Sequence, residues 1–343
     1  MATNNSNHTT PKNIVTENPD FGMDPVTIPS SVEAHNIYDL STTILNKPPG
    51  VPPTAITSRL SALLILNQPI TLPFEAFSEL FRSASLIVCA DGGANQLHDY
   101  CLANEQINSY VPNFIVGDLD SLKDDVEKTY QKLGVLVKKQ GSQYATDFQK
   151  GLAMVDLYFK LGKELGEEGF GKFILDDEIG LVNINKTVRS TGNHHHDIMV
   201  NCLGALGGRF DHTIQSMNQL HKSFSESPNL QLYYIGDQDI VFYLPPGENY
   251  IKVPCQMKEE WAKDYSSNGG KWKGNTCGIL PIFEKVILTT KGLKWDVEEW
   301  ESGMGGNISS SNRLLNGSAS INDGDDWVVY VKSNGALLIN IEW

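Results

Sequence analysis

The stretch FIVGDLDSL, residues 114–122, decides how this chain is read. A short apolar run closes on Gly117, as a buried strand does at its end. Asp118 and Asp120 follow with only Leu119 between them. Two carboxylates that close repel unless a positive charge lies between them. The plan repeats upstream in SLIVCADGGANQL (85–97), where the apolar run Leu86–Ala90 ends at Asp91 and two glycines. LGVLVKK (133–139) and HDIMVNCLGALGG (196–208) read as further strands. Between them lie segments of helical period. PFEAFSELFRSA (73–84) sets Phe74, Phe77, Leu80 and Phe81 at helical spacing behind Pro73. ATDFQKGLAMVDLYFKLG (145–162) puts Phe148, Leu152, Val155 and Phe159 on one face, and Thr146 with Gln149 has the spacing of a capping box. HTIQSMNQLHKSF (212–224) turns Ile214, Met217, Leu220 and Phe224 inward. Strands alternating with helices predict an α/β domain with a mostly parallel sheet, whose ligands sit at the carboxyl ends of the strands. Asp91, Asp118 and the segment Gly204–Asp211 all fall at such ends.

The texture changes after residue 229. LQLYYIGDQDIVFYLPPG (230–247), CGILPIF, KVILTT, SASIN, DWVVYV and ALLINIEW are short apolar runs between Gly, Asn, Ser and Asp turns. They predict a C-terminal all-β sandwich domain. The expected division is a disordered tail over 1–36, an α/β domain over 37–229 with an insertion at 162–196, and a β domain over 230–343 with an insertion at 256–276. At 343 residues, two domains are the natural prior. A net charge of −14 argues against a nucleic-acid binder, though not against a phosphate substrate bridged by a cation. Five cysteines without C-x-x-C spacing, no apolar stretch of membrane-spanning length and no secretory leader pattern point to a cytoplasmic protein with no membrane partner.

Several residues suit phosphate chemistry, and each has a plainer reading beside it. Asp118 and Asp120 suit Mg²⁺, which is often bound by one or two carboxylates plus substrate phosphates. They equally suit a solvated turn in which Asp120 caps the next helix. Asp147, in T-D-x-x-K, either complements a helix dipole or supplies a third ligand or a base, with Lys150 reaching a phosphate. In LGALGGRFDH (203–212), Gly204, Gly207 and Gly208 let backbone approach an anion at a helix start, and Arg209 offers a donor fork. The alternative is a tight turn with Arg209 paired to Asp211. The segment is neither a Walker A loop nor G-x-G-x-x-G. Asp91 either caps a helix or faces a ligand. Trp295 is either a core residue or a platform for a flat cation. His194–His196 read as a solvated loop rather than a metal site.

Taken in order, CADGGANQL, FIVGDLDSL, QYATDFQK, LGALGGRFDH, TTKGLKWDV and SSSNRLLNGS resemble the thiamine pyrophosphokinase family in its eukaryotic, fungal-like form, over roughly residues 60–343. The resemblance implies a nucleotide-binding α/β domain, a C-terminal β-sandwich and a homodimer. It implies transfer of a diphosphoryl group from ATP to the hydroxyethyl group of thiamine, giving thiamine diphosphate and AMP. It implies Mg²⁺ on Asp118, Asp120 and Asp147 with Asp91 beside them. A primary alcohol is a poor nucleophile, so the chemistry calls for a nearby carboxylate, Asp91 or Asp147, to accept its proton. Gln143, Thr146, Lys150, Gly207, Gly208, Arg209 and Asp211 would line the ATP site. Trp295, Ser311 and Asn312 would form the thiamine pocket and reach the partner's nucleotide. Tyr144 stands where many members carry an acid, and His212 where some carry Gln. A nucleotide- or thiamine-binding regulator and an Mg²⁺-dependent nucleotide hydrolase are the competing functions; the aspartate set argues against the first and the tryptophan motif against the second.

Overall fold

A parallel strand covered on both faces is apolar almost throughout, and the central segments of this chain are, Ser61 and Asn201 apart. The structure, a computed structural model, describes residues 12–19, 25–32, 36–40, 60–173, 180–191, 198–253, 276–315 and 327–342. Two compact units divide the chain: Pro49–Phe242, and Met1–Pro48 together with Tyr243–Trp343. The first two strands, β1 (Ile14–Glu17) and β2 (Ile37–Asp39), belong to the second of these.

The α/β unit runs β3 (Leu60–Ile65), α1 (Phe74–Ser83), β4 (Leu86–Ala90), α2 (Gly93–Ala103), β5 (Phe114–Gly117), α3 (Asp124–Lys132), β6 (Leu136–Lys139) and α4 (Asp147–Leu157). A π-helical turn, Tyr158–Gly162, leads to α5 (Lys163–Phe173) and α6 (Leu181–Thr191). Then come β7 (Ile198–Leu203), α7 (Phe210–Glu226), β8 (Leu230–Ile235) and β9 (Asp239–Leu244), within which the chain passes to the other unit. The parallel strands lie in the order β8-β7-β3-β4-β5-β6, and β9 pairs antiparallel with β8. The chain winds outward from β3 to β6, then returns to the opposite side of β3 as β7. The end of β3 is therefore the switch point, where open α/β sheets form their crevice.

Helix α4 begins as the sequence dictates. Thr146 accepts from Gln149 N and the Gln149 side chain accepts from Thr146 N, a complete capping box. From Lys150 to Leu157 every residue of α4 is buried. Its buried Asp156 takes Lys160 Nζ at 3.1 Å, Arg189 Nε at 2.5 Å and Asn229 Nδ2 at 2.7 Å. Arg189 also donates to the Glu226 carbonyl, so one carboxylate pins α6 to α4 and to the end of α7.

The other unit adds β10 (Gly247–Val253), β11 (Thr276–Leu280), β12 (Val286–Lys291), β13 (Trp295–Glu298), β14 (Trp300–Ser302), β15 (Ser309–Arg313), β16 (Trp327–Ser333) and β17 (Leu337–Glu342). It is all-β among the described residues. One sheet has the order β14-β12-β16-β10-β2, β15 and β17 flank β11, and β1 pairs with β13. Alternating burial along β12 and β16 gives each strand one covered face.

Four expectations change. The segment 1–36 is not wholly a tail, because Ile14–Glu17 is a strand in register with β13. All four of its side chains are exposed, so its pairing rests on backbone and leaves no apolar pattern to read. The unit boundary falls at 242/243, not 229/230, because β8 pairs parallel with β7 and extends the α/β sheet. The 162–196 insertion carries two helices, and α6 packs on α4. On α7 Leu220 is buried as expected and Met217 half-buried, but Ile214 and Phe224 are exposed, and the polar Ser216, Gln219 and Ser223 complete the buried face. The 256–276 insertion, but for Thr276, and His194–His196 lie outside the described residues.

Candidate active site

The acids come from the ends of two neighbouring strands. Asp91, one residue past β4, is only 3% exposed and has a left-handed φ of 44°. That conformation is uncommon for a residue with a side chain and persists only where the surroundings hold it. Here Asp91 N donates to the Val116 carbonyl of β5, at 2.9 Å. Past β5, Leu119 is also left-handed, with φ 63°, and it turns the chain between Asp118 and Asp120. Oxygens of Asp91, Asp118 and Asp120 lie within 4.8 Å of one another. Gly117 makes this possible. A Cβ there would stand 2.6 Å from Asp91 Cβ and 3.2 Å from Asp147 Oδ1.

The hydrogen bonds within the group are uneven. Asp91 Oδ2 accepts from Ser121 N at 3.2 Å, but the buried Oδ1 has no hydrogen-bond partner. Asp118 accepts from Asp120 N (3.3 Å) and Gln143 Nε2 (3.3 Å), and Asp120 accepts from Ser121 Oγ (3.0 Å). Asp147 stands outside the three. Its Oδ1 accepts from Asp118 N at 3.2 Å and from Lys150 Nζ at 3.0 Å. Lys150 is buried and committed to that pair, so it braces Asp147. Tyr144, beside Gln143, is fully exposed.

On the far side of β3, Gly204, Gly207 and Gly208 have φ of 75°, 89° and 64°, a turn that side chains resist. It opens α7 with Arg209 as N-cap. Arg209 forms a two-pronged pair with Asp211, Nε to Oδ1 at 3.1 Å and Nη2 to Oδ2 at 2.7 Å, on the open surface. Sequence reasoning missed Asn67 and Gln68, which follow β3 at the switch point. Asn67 Oδ1 accepts from Gln96 Nε2 at 2.9 Å, and its side chain fills the space beside Gly92. The Gln68 carboxamide lies against Gly208, where a Cβ would meet it at 2.3 Å. The signal was position alone: two amides at a strand end already flanked by Asp91 and the glycine turn.

In the β unit, Trp295 opens β13. The buried Asn312 of β15 accepts from Trp295 N at 3.1 Å and donates to Trp295 O at 2.7 Å. The Arg313 guanidinium stands 5.9 Å from the indole centroid, so this ring already receives a cation. Ser311 is exposed on the same strand. Next to Trp295, the buried Asp296 accepts from Thr290 Oγ1, Gly292 N, Leu293 N and Asn18 Nδ2.

Residues 77–233 match the family model for the thiamin pyrophosphokinase catalytic domain, and residues 262–324 match that for the thiamin pyrophosphokinase vitamin B1 binding domain. Thiamine pyrophosphokinase of Saccharomyces cerevisiae is 34% identical over 294 residues, which cover 82% of this chain and 85% of that protein. The chain belongs to the thiamin pyrophosphokinase family. It is accordingly an enzyme of the kinase class. Thiamin pyrophosphokinase from Candida albicans superposes with a TM-score of 0.77 at 32% identity, covering 97% of this chain and 99% of that one. The yeast thiamin pyrophosphokinase structure gives 0.76 at 29% identity, covering 96% of each. Both units of this chain fall within that match.

The electrostatics of the group fit a divalent cation. Burial pushes the Asp91 carboxyl above its ordinary range, against the hydrogen bonds from Ser121 and Gly92, and the charge of Asp147 adds to the rise. Burial also pushes Asp118 upward, but the Asp120 N–H, the Gln143 amide and the Lys150 charge outweigh it and hold that carboxyl low. An unpartnered buried oxygen beside two further carboxylates lacks a positive partner that a hard cation with oxygen ligands supplies. Among the described residues no helix is long and apolar enough to cross a membrane.

Proposed function

We propose that this chain transfers the terminal diphosphoryl group of ATP to the hydroxyethyl oxygen of thiamine. A new bond joins that oxygen to the β-phosphorus, the hydroxyl proton passes to a neighbouring carboxylate, Asp91 or Asp147, the bond from the β-phosphorus to the oxygen of the α-phosphate breaks, and AMP leaves. The single observation that carries the reading is the unpartnered Asp91 Oδ1 in a group with Asp118 and Asp120, on a chain of this family. Asp91, Asp118 and Asp120 would hold Mg²⁺, with Asp147 buttressing the group through Asp118 N. Mg²⁺ held by these residues would supply charge neutralisation, which is most of what phosphoryl transfer requires.

The chain's own residues do the rest. Gln143 orients Asp118 by its hydrogen bond. Thr146 fixes the start of α4, and so the position of Asp147, by capping. Lys150 holds Asp147 in place through their ion pair. Gly207 and Gly208 bring backbone close to an anion at the start of a 17-residue helix. Arg209 exchanges its Asp211 partner for phosphate oxygens, a step its exposure permits. Trp295 offers its ring to the cationic thiazolium, Asn312 holds its backbone, and the Ser311 hydroxyl lies on the neighbouring strand. The active form is a homodimer in this reading, and sedimentation of the purified chain tests that part.

Incubation with ATP, Mg²⁺ and thiamine tests the reaction. Equal amounts of AMP and thiamine diphosphate, both dependent on thiamine, are expected. Nucleotide breakdown without thiamine would favour a hydrolase, and binding without turnover a regulator.

A further inference from the structure

The N-terminal arm 12–19 is built into the strand that carries Trp295. Its β1 pairs with β13 in antiparallel register, Ile14 with Glu298 through Glu17 with Trp295. Asn13 N donates to the Glu299 carbonyl at 3.2 Å and Asn18 N to the Lys294 carbonyl at 2.8 Å, so the arm is bonded beyond both ends of the ladder. Asn18 is the anchor. It is buried, and its Nδ2 donates to Asp296 Oδ2 at 2.6 Å and to the Leu293 carbonyl at 2.8 Å. Lys294 closes the clasp, with Nζ 2.7 Å from the Asn18 carbonyl and 3.5 Å from Glu17.

These contacts bracket the indole. Lys294 and Asp296 are its chain neighbours, and both are bonded to Asn18. Asp296 Oδ2 has Asn18 and Gly292 N as donors, so without Asn18 a buried carboxylate oxygen loses one of the two donors that hold it. A buried charge that loses a donor draws its surroundings into a new arrangement, or water in. Asn312 fixes Trp295 from the β15 side. The arm fixes the opposite side, where β13 would otherwise be an unpaired edge.

We propose that residues 12–19 are a positioning element of the acceptor-substrate site, holding Trp295 where its indole meets the thiamine cation. The inference rests on the reading of Trp295 given above. A displaced ring weakens its face-on contact with a cation but leaves the nucleotide side of the reaction alone. The arm is thus expected to govern the thiamine KM selectively.

Steady-state kinetics of the full chain, Asn18→Ala, a form lacking residues 1–19 and Trp295→Ala test this. Asn18→Ala and the shortened form should each raise the thiamine KM at least about fivefold, the size of one or two lost hydrogen bonds, with the ATP KM unchanged. A purely structural arm would lower the active fraction, and so kcat, with both KM values intact; that result overturns the proposal. It is also overturned if Trp295→Ala raises the thiamine KM while both arm variants fold and keep the wild-type value, or if neither arm variant folds. If Trp295→Ala itself leaves the thiamine KM unchanged, the platform reading fails and takes the arm's role with it.

Discussion

Replacing Asp91 by Asn should make the cation-free protein more stable and the enzyme inactive. Three carboxylates whose oxygens lie within 4.8 Å of each other repel. At that separation one pair costs about 3.5 kcal/mol at an effective dielectric of about 20 and about 0.9 kcal/mol in water. Asp91 is buried but Asp118 is half-buried and Asp120 exposed, so the lower part of that range applies. We expect Asp91→Asn to gain about 1–2 kcal/mol without Mg²⁺, which raises Tm by about 2–8 °C for a unit of this size. Asn suits the test because it tolerates the left-handed backbone that Asp91 adopts, with φ 44°. The pH dependence has a definite sign. Burial raises the folded-state pKa of Asp91 above its ordinary value of 3.8, so the folded state holds this proton more tightly than the unfolded chain does. Stability therefore falls as pH rises from about 4 through the raised pKa, and the penalty is complete above it. Asp91→Asn should flatten that slope. Thermal melts across pH, with and without Mg²⁺ and an ATP analogue, supply the measurement. The wild type should gain stability from the cation and nucleotide while the variant gains little. A cation-free Asp91→Asn protein less stable than wild type, or one with an undiminished Mg²⁺ response, would refute the reasoning.

Other substitutions probe other links. Gly117→Ala must displace Asp91, whose Cβ would lie 2.6 Å from the new methyl, and a shift of that kind should lower kcat about 10²-fold with both KM values little changed. Asp156→Ala strands Lys160 and Arg189 and should cost about 3–5 kcal/mol by denaturant melts at neutral pH. Although burial opposes it, Arg189, Asn229 and Lys160 hold the Asp156 carboxyl below 3.8, so its contribution is present above that pH and is lost as pH falls through the lowered value. Trp295→Ala should raise the thiamine KM by about 2- to 30-fold, the range of a cation–π contact, and leave the ATP KM alone.

What the sequence disclosed was whatever local chemistry dictates. Thr146 and Gln149 announce the start of α4 because a capping box is a contact three residues apart. The Leu86–Ala90 and Phe114–Gly117 runs announce strands, and their acids were placed correctly at the carboxyl ends. The company each acid keeps was not legible. Asp147 carries the same motif weight as Asp91, yet Asp91 shares the group with Asp118 and Asp120 while Asp147 is held by Lys150. That outcome depends on β4 lying beside β5 and on the missing side chain of Gly117, both long-range facts. The pairing of Arg209 with Asp211, two residues apart, was legible for the same reason as the capping box, and the structure shows that pair. Strand β1 was invisible because its side chains face solvent and its stability comes from β13 and the Asn18 anchor. Strand β8 was assigned to the wrong unit because a hairpin and the last strand of a parallel sheet share the same apolar pattern.

The central claim is that Asp91, Asp118 and Asp120 together hold one divalent cation at the nucleotide. Electron paramagnetic resonance of Mn²⁺, with a non-transferable ATP analogue saturating the protein, measures this directly. The account predicts one tightly held Mn²⁺ per chain in the wild type, with its signal changed and its affinity reduced at least about tenfold in each of Asp91→Asn, Asp118→Asn and Asp120→Asn. Wild-type Mn²⁺ signal and affinity in all three variants would contradict it.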